Sequence, residues 1–92
     1  MMKKKMMKRC DSILGAMVQD EKVLALWIGR VKDSFKNNDG NVANVYNEIA
    51  FTIQNDFFER NKDVCMRVSV AFVTLVRGKV NAYEDLDFKY HG

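Results

Sequence analysis

The side chains best suited to catalysis, histidine, cysteine and clustered carboxylates, are few and scattered in this sequence. His91 is the single histidine and lies one residue from the end, while Cys10 and Cys65 are far apart. A hydrolytic triad needs a nucleophile, a base and an orienting group in mutual reach. A structural zinc site needs four ligands, usually in closely spaced pairs. We therefore predict neither a triad nor a metal site, and we expect no cofactor.

Carboxylates could still form an acid–base pair or collect a divalent cation. The candidates are Glu48, Asp56 and Glu59, which lie mainly on the polar side of a predicted helix, where such side chains are usually solvated. No Glu-x-x-His or Glu-x-x-x-Asp pattern repeats on a second helix, and no glycine-rich phosphate loop is present. The sequence predicts that the protein is not an enzyme.

The chain is of a size and composition that predict one folded domain over residues 1–92. It is 48% hydrophobic and contains ten aromatic residues but no proline, so helices can run without interruption. Its two distant cysteines do not indicate a disulfide framework. No apolar stretch has the length of a membrane span, and the basic start is not followed by the apolar core of a signal peptide. We expect a soluble, cytoplasmic protein.

Apolar spacing predicts three amphipathic helices before residue 61. The first covers about 6–19 and the second begins near Asp20 and Glu21, although the two could be one bent helix. Asparagine, aspartate and glycine at 37–40 predict a chain reversal. Asn41 is a candidate N-cap for a third helix, which would run to about Arg60.

The segment 63–77 fits two structures. It alternates as a strand would, but Asp63 could cap a helix there and Gly78 could end it. We favour the helix, and with it an all-α fold, a small three- or four-helix bundle with a polar C-terminal tail over about 84–92. The alternative is an α+β fold with three helices and a C-terminal β-hairpin over about 64–90.

Positive charge is concentrated at the start of the chain. Residues 1–36 contain nine basic and four acidic side chains, and residues 1–9 form a basic N-terminal arm. Such a cluster could neutralise phosphates, so nucleic-acid binding through the arm and the second helix is our alternative function. The residues expected to act in it are Lys3, Lys4, Lys5, Lys8, Arg9, Arg30 and Lys32.

The third predicted helix has apolar residues on two sides. Phe51 and Phe58 lie nearly opposite its main stripe, with Ala43 and Ala50 beside them. Either the first and fourth helices enclose these phenylalanines, or a partner covers them. We favour the second interpretation and predict a small, non-catalytic protein-binding module, a regulator, inhibitor or adaptor. Its partner would be another protein or, in a homodimer, a second copy.

The general layout is a lysine-rich start, four helical segments and a polar tail. Together with the third-helix sequence at 45–50, Val-Tyr-Asn-Glu-Ile-Ala, it resembles the small antiparallel-bundle immunity proteins of bacteriocin producers. The resemblance implies a small cytosolic protein that blocks a partner or acts as an adaptor. It does not identify any site residue in this chain.

Overall fold

The computed structural model of this protein describes the backbone of residues 4–83 and the side chains of residues 4–78. It contains four helices and, within residues 4–83, no strand: α1 (Lys4–Val18), α2 (Glu21–Asn37), α3 (Val42–Phe57) and α4 (Lys62–Tyr83). The all-α prediction is confirmed as a four-helix bundle. The predicted polar tail and Lys3 lie outside the described residues.

Side-chain caps separate the first three helices. The carboxylate of Asp20 accepts a hydrogen bond from the Val23 amide at 2.9 Å, which starts α2 as a helix distinct from α1. Asn41 caps α3 in the same way by accepting from the Asn44 amide at 3.1 Å. Between α2 and α3 the chain reverses through Asp39 and Gly40, both with positive φ, as the composition of this turn predicts.

The β-hairpin alternative is wrong over the residues described, because α4 continues through Gly78 to Tyr83. Its N-cap is Asn61 rather than Asp63, since the Asn61 side-chain oxygen accepts hydrogen bonds from the amides of Asp63 and Val64. The buried residues of α4 recur at helical spacing: Val64, Cys65, Val68, Ser69, Phe72, Val73 and Val76. This one-sided burial favours a helix over a strand. By helical spacing Ala71 and Leu75 also fit an apolar stripe of this segment, but both are exposed.

Residue pairs between helices show how they are oriented. Trp27 of α2 stacks on Phe57, and Ser34 contacts Glu48, so residue numbers rise on α2 as they fall on α3 and the two helices are antiparallel. The Ser69 hydroxyl donates to the Tyr46 carbonyl at 2.7 Å, across the antiparallel contact of α4 with α3.

The core is a single cluster to which all four helices contribute. Trp27 lies at its centre, stacked on Phe57 and edge-on to Phe72, with ring centroids 6.1 and 6.4 Å apart. Burying each side chain of this size contributes about 1.5–3 kcal/mol. Because α3 packs chiefly against α2 and α4, α1 and α4 do not enclose it from both sides.

Candidate functional site

Phe51 extends into solvent from α3. Its side chain is 62% exposed, on the side of the helix opposite the buried Val45, Ile49 and Ile53. We predicted that this phenylalanine would not be covered by the monomer, and its exposure agrees with that expectation. An exposed phenylalanine leaves a large apolar area in water, which is the type of surface that a binding partner covers.

Phe58 is still more exposed, at 88%, and its backbone is strained. It is the C-cap of α3, with φ 53° and ψ 37° in the left-handed region, so α3 ends at Phe57 and not near Arg60 as we predicted. Glycine is the residue that usually takes this position, because a β-carbon there costs about 1 kcal/mol or more. A bulky, exposed side chain in this conformation brings no stability to the monomer.

The loop that carries Phe58 is held firmly. The carboxylate of the next residue, Glu59, is buried and accepts hydrogen bonds from both Nε and Nη2 of Arg9 and from the amide of Asn61. The Glu59 amide donates back to the Gln54 carbonyl at 3.1 Å. Phe58 is therefore displayed from a fixed backbone, which lowers the entropy lost when a partner binds it.

The outward side of α3 has an uncharged strip along its length, and the exposed carboxylate of Glu48 lies at the edge of this strip, one helical turn before Phe51. We call this strip the α3 outer face, and it consists of Ala43, Asn44, Asn47, Phe51, Gln54, Asn55 and the cap residue Phe58. All of them are exposed except Gln54, which is half-buried. Aromatic residues with few charges are the composition that distinguishes the buried centre of a protein interface from ordinary surface.

The carboxylates of α3 lie off this face and are engaged within the monomer. Glu48 accepts a hydrogen bond from the buried Ser34 hydroxyl, and Asp56 forms an ion pair with Arg30 at 2.7 Å. Both contacts are with α2. The two carboxylates therefore hold α3 against α2, and Glu48, which is exposed, also places a charge at the edge of the outer face.

Exposed apolar side chains on α1 and α2 stand among charges, whereas Val70 and Leu75 of α4 are exposed with the uncharged Ala71, Thr74 and Gly78 near them. Leu26 of α2 is 54% exposed, but Lys22 and Arg30 lie one helical turn before and after it. Met7 of α1 has Lys4 and Asp11 in its neighbouring positions. Isolated exposed apolar residues of this kind are normal on protein surfaces.

Two of the predicted binding residues have different positions. Ala43 is exposed on the α3 outer face, whereas Ala50 is only 8% exposed and belongs to the core. Ala50 is therefore removed from the predicted site, because its methyl group packs inside the bundle.

The basic residues that we predicted to bind nucleic acid have two kinds of environment: the lysines that the structure describes are exposed, and the arginines are paired with carboxylates. Lys4, Lys5 and Lys8 are exposed on α1, so the residues from 4 onward are helical and not a separate arm. Arg9 pairs with Glu59. Arg30 pairs with Asp56 and lies over the Trp27 ring, 4.4 Å from its centroid.

Lys32 is exposed on α2. Of the seven predicted nucleic-acid contacts, the two arginines are thus held by carboxylates of the same chain, and Lys3 lies outside the described residues.

Four ionisable groups near the start of α4 have shifted pKa values, and the hydrogen bond to Glu59 raises the pKa of Arg9. Hydrogen bonds from Arg9 lower the pKa of the Glu59 carboxyl below its ordinary value, so it stays ionised at neutral pH. Burial raises the pKa of the Cys10 and Cys65 thiols. Protonated thiols are poor nucleophiles.

Across the described residues, no three histidine, cysteine, aspartate or glutamate side chains are placed to hold a metal ion. The same part of the chain contains no helix with the length and hydropathy needed to cross a bilayer.

Sequence reasoning missed the amide residues of the α3 outer face. Asn44, Asn47 and Asn55 were not singled out, because asparagine is an ordinary surface residue. The signal was nevertheless present, since Asn44, Asn47 and Asn55, which share a narrow strip with Phe51 opposite the apolar stripe of α3, are all uncharged amides.

Comparisons of this chain with protein-family models, with curated proteins and with solved structures find no match.

Proposed function

We propose that this protein is a non-catalytic protein-binding module, a regulator, inhibitor or adaptor, that docks through the α3 outer face. The observation that carries the proposal is the uncharged strip along the outward side of α3, from which Phe51 and Phe58 extend into solvent. Two rings on one side of a helix, separated by about 10 Å along its axis, are suitable anchors for a partner.

The free energy of desolvation supports this face over the outward side of α1. A partner that covers phenylalanine and methyl groups gains about 25 cal/mol for each Å² of apolar area removed from water. Covering lysine or aspartate would require an opposite charge in return. The outer face has no such requirement, whereas α1 has lysines at 4, 5 and 8.

The strained cap supports a functional role for Phe58 in particular. Residues held in a sparsely populated backbone region at a cost to stability are concentrated at functional sites. Here the strain places an aromatic ring in solvent at the end of α3, where glycine would be more stable. Binding of the ring by a partner would offset that cost.

The proposed location is the cytoplasm. Cys10 and Cys65 are both free thiols, and Cys65 is buried. Reduced cysteines are typical of that compartment.

Site-specific photo-cross-linking in the native cell tests this function. A photoreactive amino acid would replace Asn47 on the α3 outer face in one variant and Lys32, exposed on α2, in a matched control. We expect a discrete covalent protein adduct from position 47 that is absent from position 32 and disappears when Phe51→Asp is added. Equal labelling from both positions, or none from position 47, would refute the proposal.

A further inference from the structure

We propose that the partner of the α3 outer face is a second copy of this chain, packed with its α3 antiparallel to the first about a two-fold axis at Phe51. This inference deepens the proposed function and rests on it. It identifies the occupant of that face from the chemistry of the face itself.

The first argument is electrostatic. Along the strip from Asn47 through Phe51 to Asn55, a charged side chain of a partner would be buried against amides and a ring, and the Glu48 carboxylate at the edge of the strip already accepts a hydrogen bond from Ser34. A partner surface that is uncharged and apolar therefore suits this strip best. The α3 outer face of another copy meets both requirements.

The second argument is that the polar groups of this face can pair with their own kind. A primary amide has two N–H donors and one carbonyl acceptor, so asparagine can bond to asparagine. Carboxylates or ammonium groups would instead repel their symmetry copies. In a two-fold interface the same patch meets itself, and such self-complementarity is required.

The third argument is the spacing of the residues about Phe51, which lies near the middle of α3. Asn47 comes four residues before it and Asn55 four residues after it. In an antiparallel pair centred on Phe51, the two Phe51 rings meet at the axis and Asn47 of each copy faces Asn55 of the other. The two Asn47–Asn55 pairs, one on each side of the axis, therefore form in the same arrangement.

The ends of the face fit the same register. Phe58 follows Phe51 by seven residues and Asn44 precedes it by seven, so each Phe58 ring lies over Asn44 and the adjacent Ala43 of the other copy. Ala43 is exposed and small, which leaves room for a phenyl ring. The helix is about 24 Å long, so the interface is small and association will depend on concentration.

Sedimentation of the full chain over a concentration series tests the pairing. We expect the mass to rise from 10.7 kDa towards twice that value. Phe51→Asp should weaken association about thirtyfold, as loss of a central aromatic anchor does. Leu26→Asp is the matched control, since Leu26 is similarly exposed on α2, and it should leave association unchanged.

A pair of double variants tests the register. Asn47→Asp with Asn55→Asp places carboxylates opposite carboxylates and should abolish the dimer. Asn47→Lys with Asn55→Asp places an ammonium group of each copy against a carboxylate of the other and should preserve the dimer. Loss of the dimer in both variants, or its retention in both, contradicts the antiparallel arrangement.

The two proposals fail in different ways. A wild-type chain that stays at 10.7 kDa at every concentration overturns the second-copy inference. A cross-linked adduct of position 47 with a different protein would still support the binding function. If no adduct forms from that position, the binding function itself is lost.

Discussion

The outward sides of α1 and α3 differ in the kind of side chain that they expose to solvent, although both helices are amphipathic. The helices have almost equal length, 15 and 16 residues, and each buries one apolar stripe. On α1 the opposite side contains Lys4, Lys8 and Asp11. On α3 it contains amides and phenylalanine, with one carboxylate, Glu48, at its edge.

A charged side is stable in water by itself, whereas an apolar side is more stable when covered. The difference teaches that amphipathic spacing predicts where a helix is buried, while the composition of its other side indicates whether that side binds.

Placing charged side chains on the outward side of α3, as on α1, should have the largest effect on association. Asn47→Lys, Phe51→Lys and Asn55→Lys together give the outer face the charge pattern of α1. Because all three positions are exposed, we predict that helical circular dichroism is retained while association is lost completely. Sedimentation of the triple variant provides the measurement, and a triple variant that still associates would place the interface elsewhere.

Breaking the ion pair that joins α1 to the α3–α4 loop should have the next largest effect, a loss of stability. Glu59→Gln removes the charge-assisted hydrogen bonds from Arg9, and we predict a loss of about 2 kcal/mol in the free energy of unfolding. Chemical denaturation at neutral pH measures this difference. A change below about 0.5 kcal/mol would show that the pair contributes little.

The same carboxyl predicts a pH dependence of stability. Its pKa is lowered in the folded state from an ordinary value of 4.5, so its contribution is complete above that value and is lost as pH falls through the folded-state pKa. The wild-type protein should therefore lose its advantage over Glu59→Gln below about pH 4.5. An advantage that persisted at pH 2 would contradict this assignment.

Replacing Phe58, the strained cap residue, should change stability and binding in opposite directions. Phe58→Gly relieves the left-handed strain, and we predict that the free energy of unfolding rises by about 0.5–1 kcal/mol. The same change should weaken association, because an exposed anchor is removed. Thermal unfolding and sedimentation of one sample test both effects, and a variant that is less stable would show that the ring supports the monomer.

The smallest effect is expected on α1. Replacing Lys4, Lys5 and Lys8 by glutamine should change the free energy of unfolding by less than about 0.5 kcal/mol and leave association unchanged, because all three are exposed. The triple variant also tests nucleic-acid binding. Duplex binding at low salt that disappears in this variant would favour the alternative function.

Much of the fold follows from the sequence alone. The caps Asp20 and Asn41 and the turn at Asp39 and Gly40 were predictable because local hydrogen bonds and backbone preferences determine them. The state of α4 was not settled by local preference, since its valines favour a strand. Packing of α4 against α3 decided it in favour of a helix.

The candidate site was predictable in part. Phe51 could be placed opposite the buried stripe by counting along the helix. Ala50 could not be assigned to the core in this way, because its burial depends on how closely the neighbouring helices pack against α3. The left-handed cap at Phe58 could not be predicted from the sequence either. Glycine and asparagine are the residues that indicate such a cap, and neither occupies the position.

The most direct test of the central claim, that the α3 outer face is an interface between two copies of this chain, is a dilution series followed by amide nuclear magnetic resonance. We predict that lowering the concentration shifts the backbone and side-chain amide signals of Asn47 and Asn55 and the backbone signals of Phe51 and Phe58, while those of α1 stay fixed. Shifts confined to α1, with the α3 signals unchanged, would contradict it.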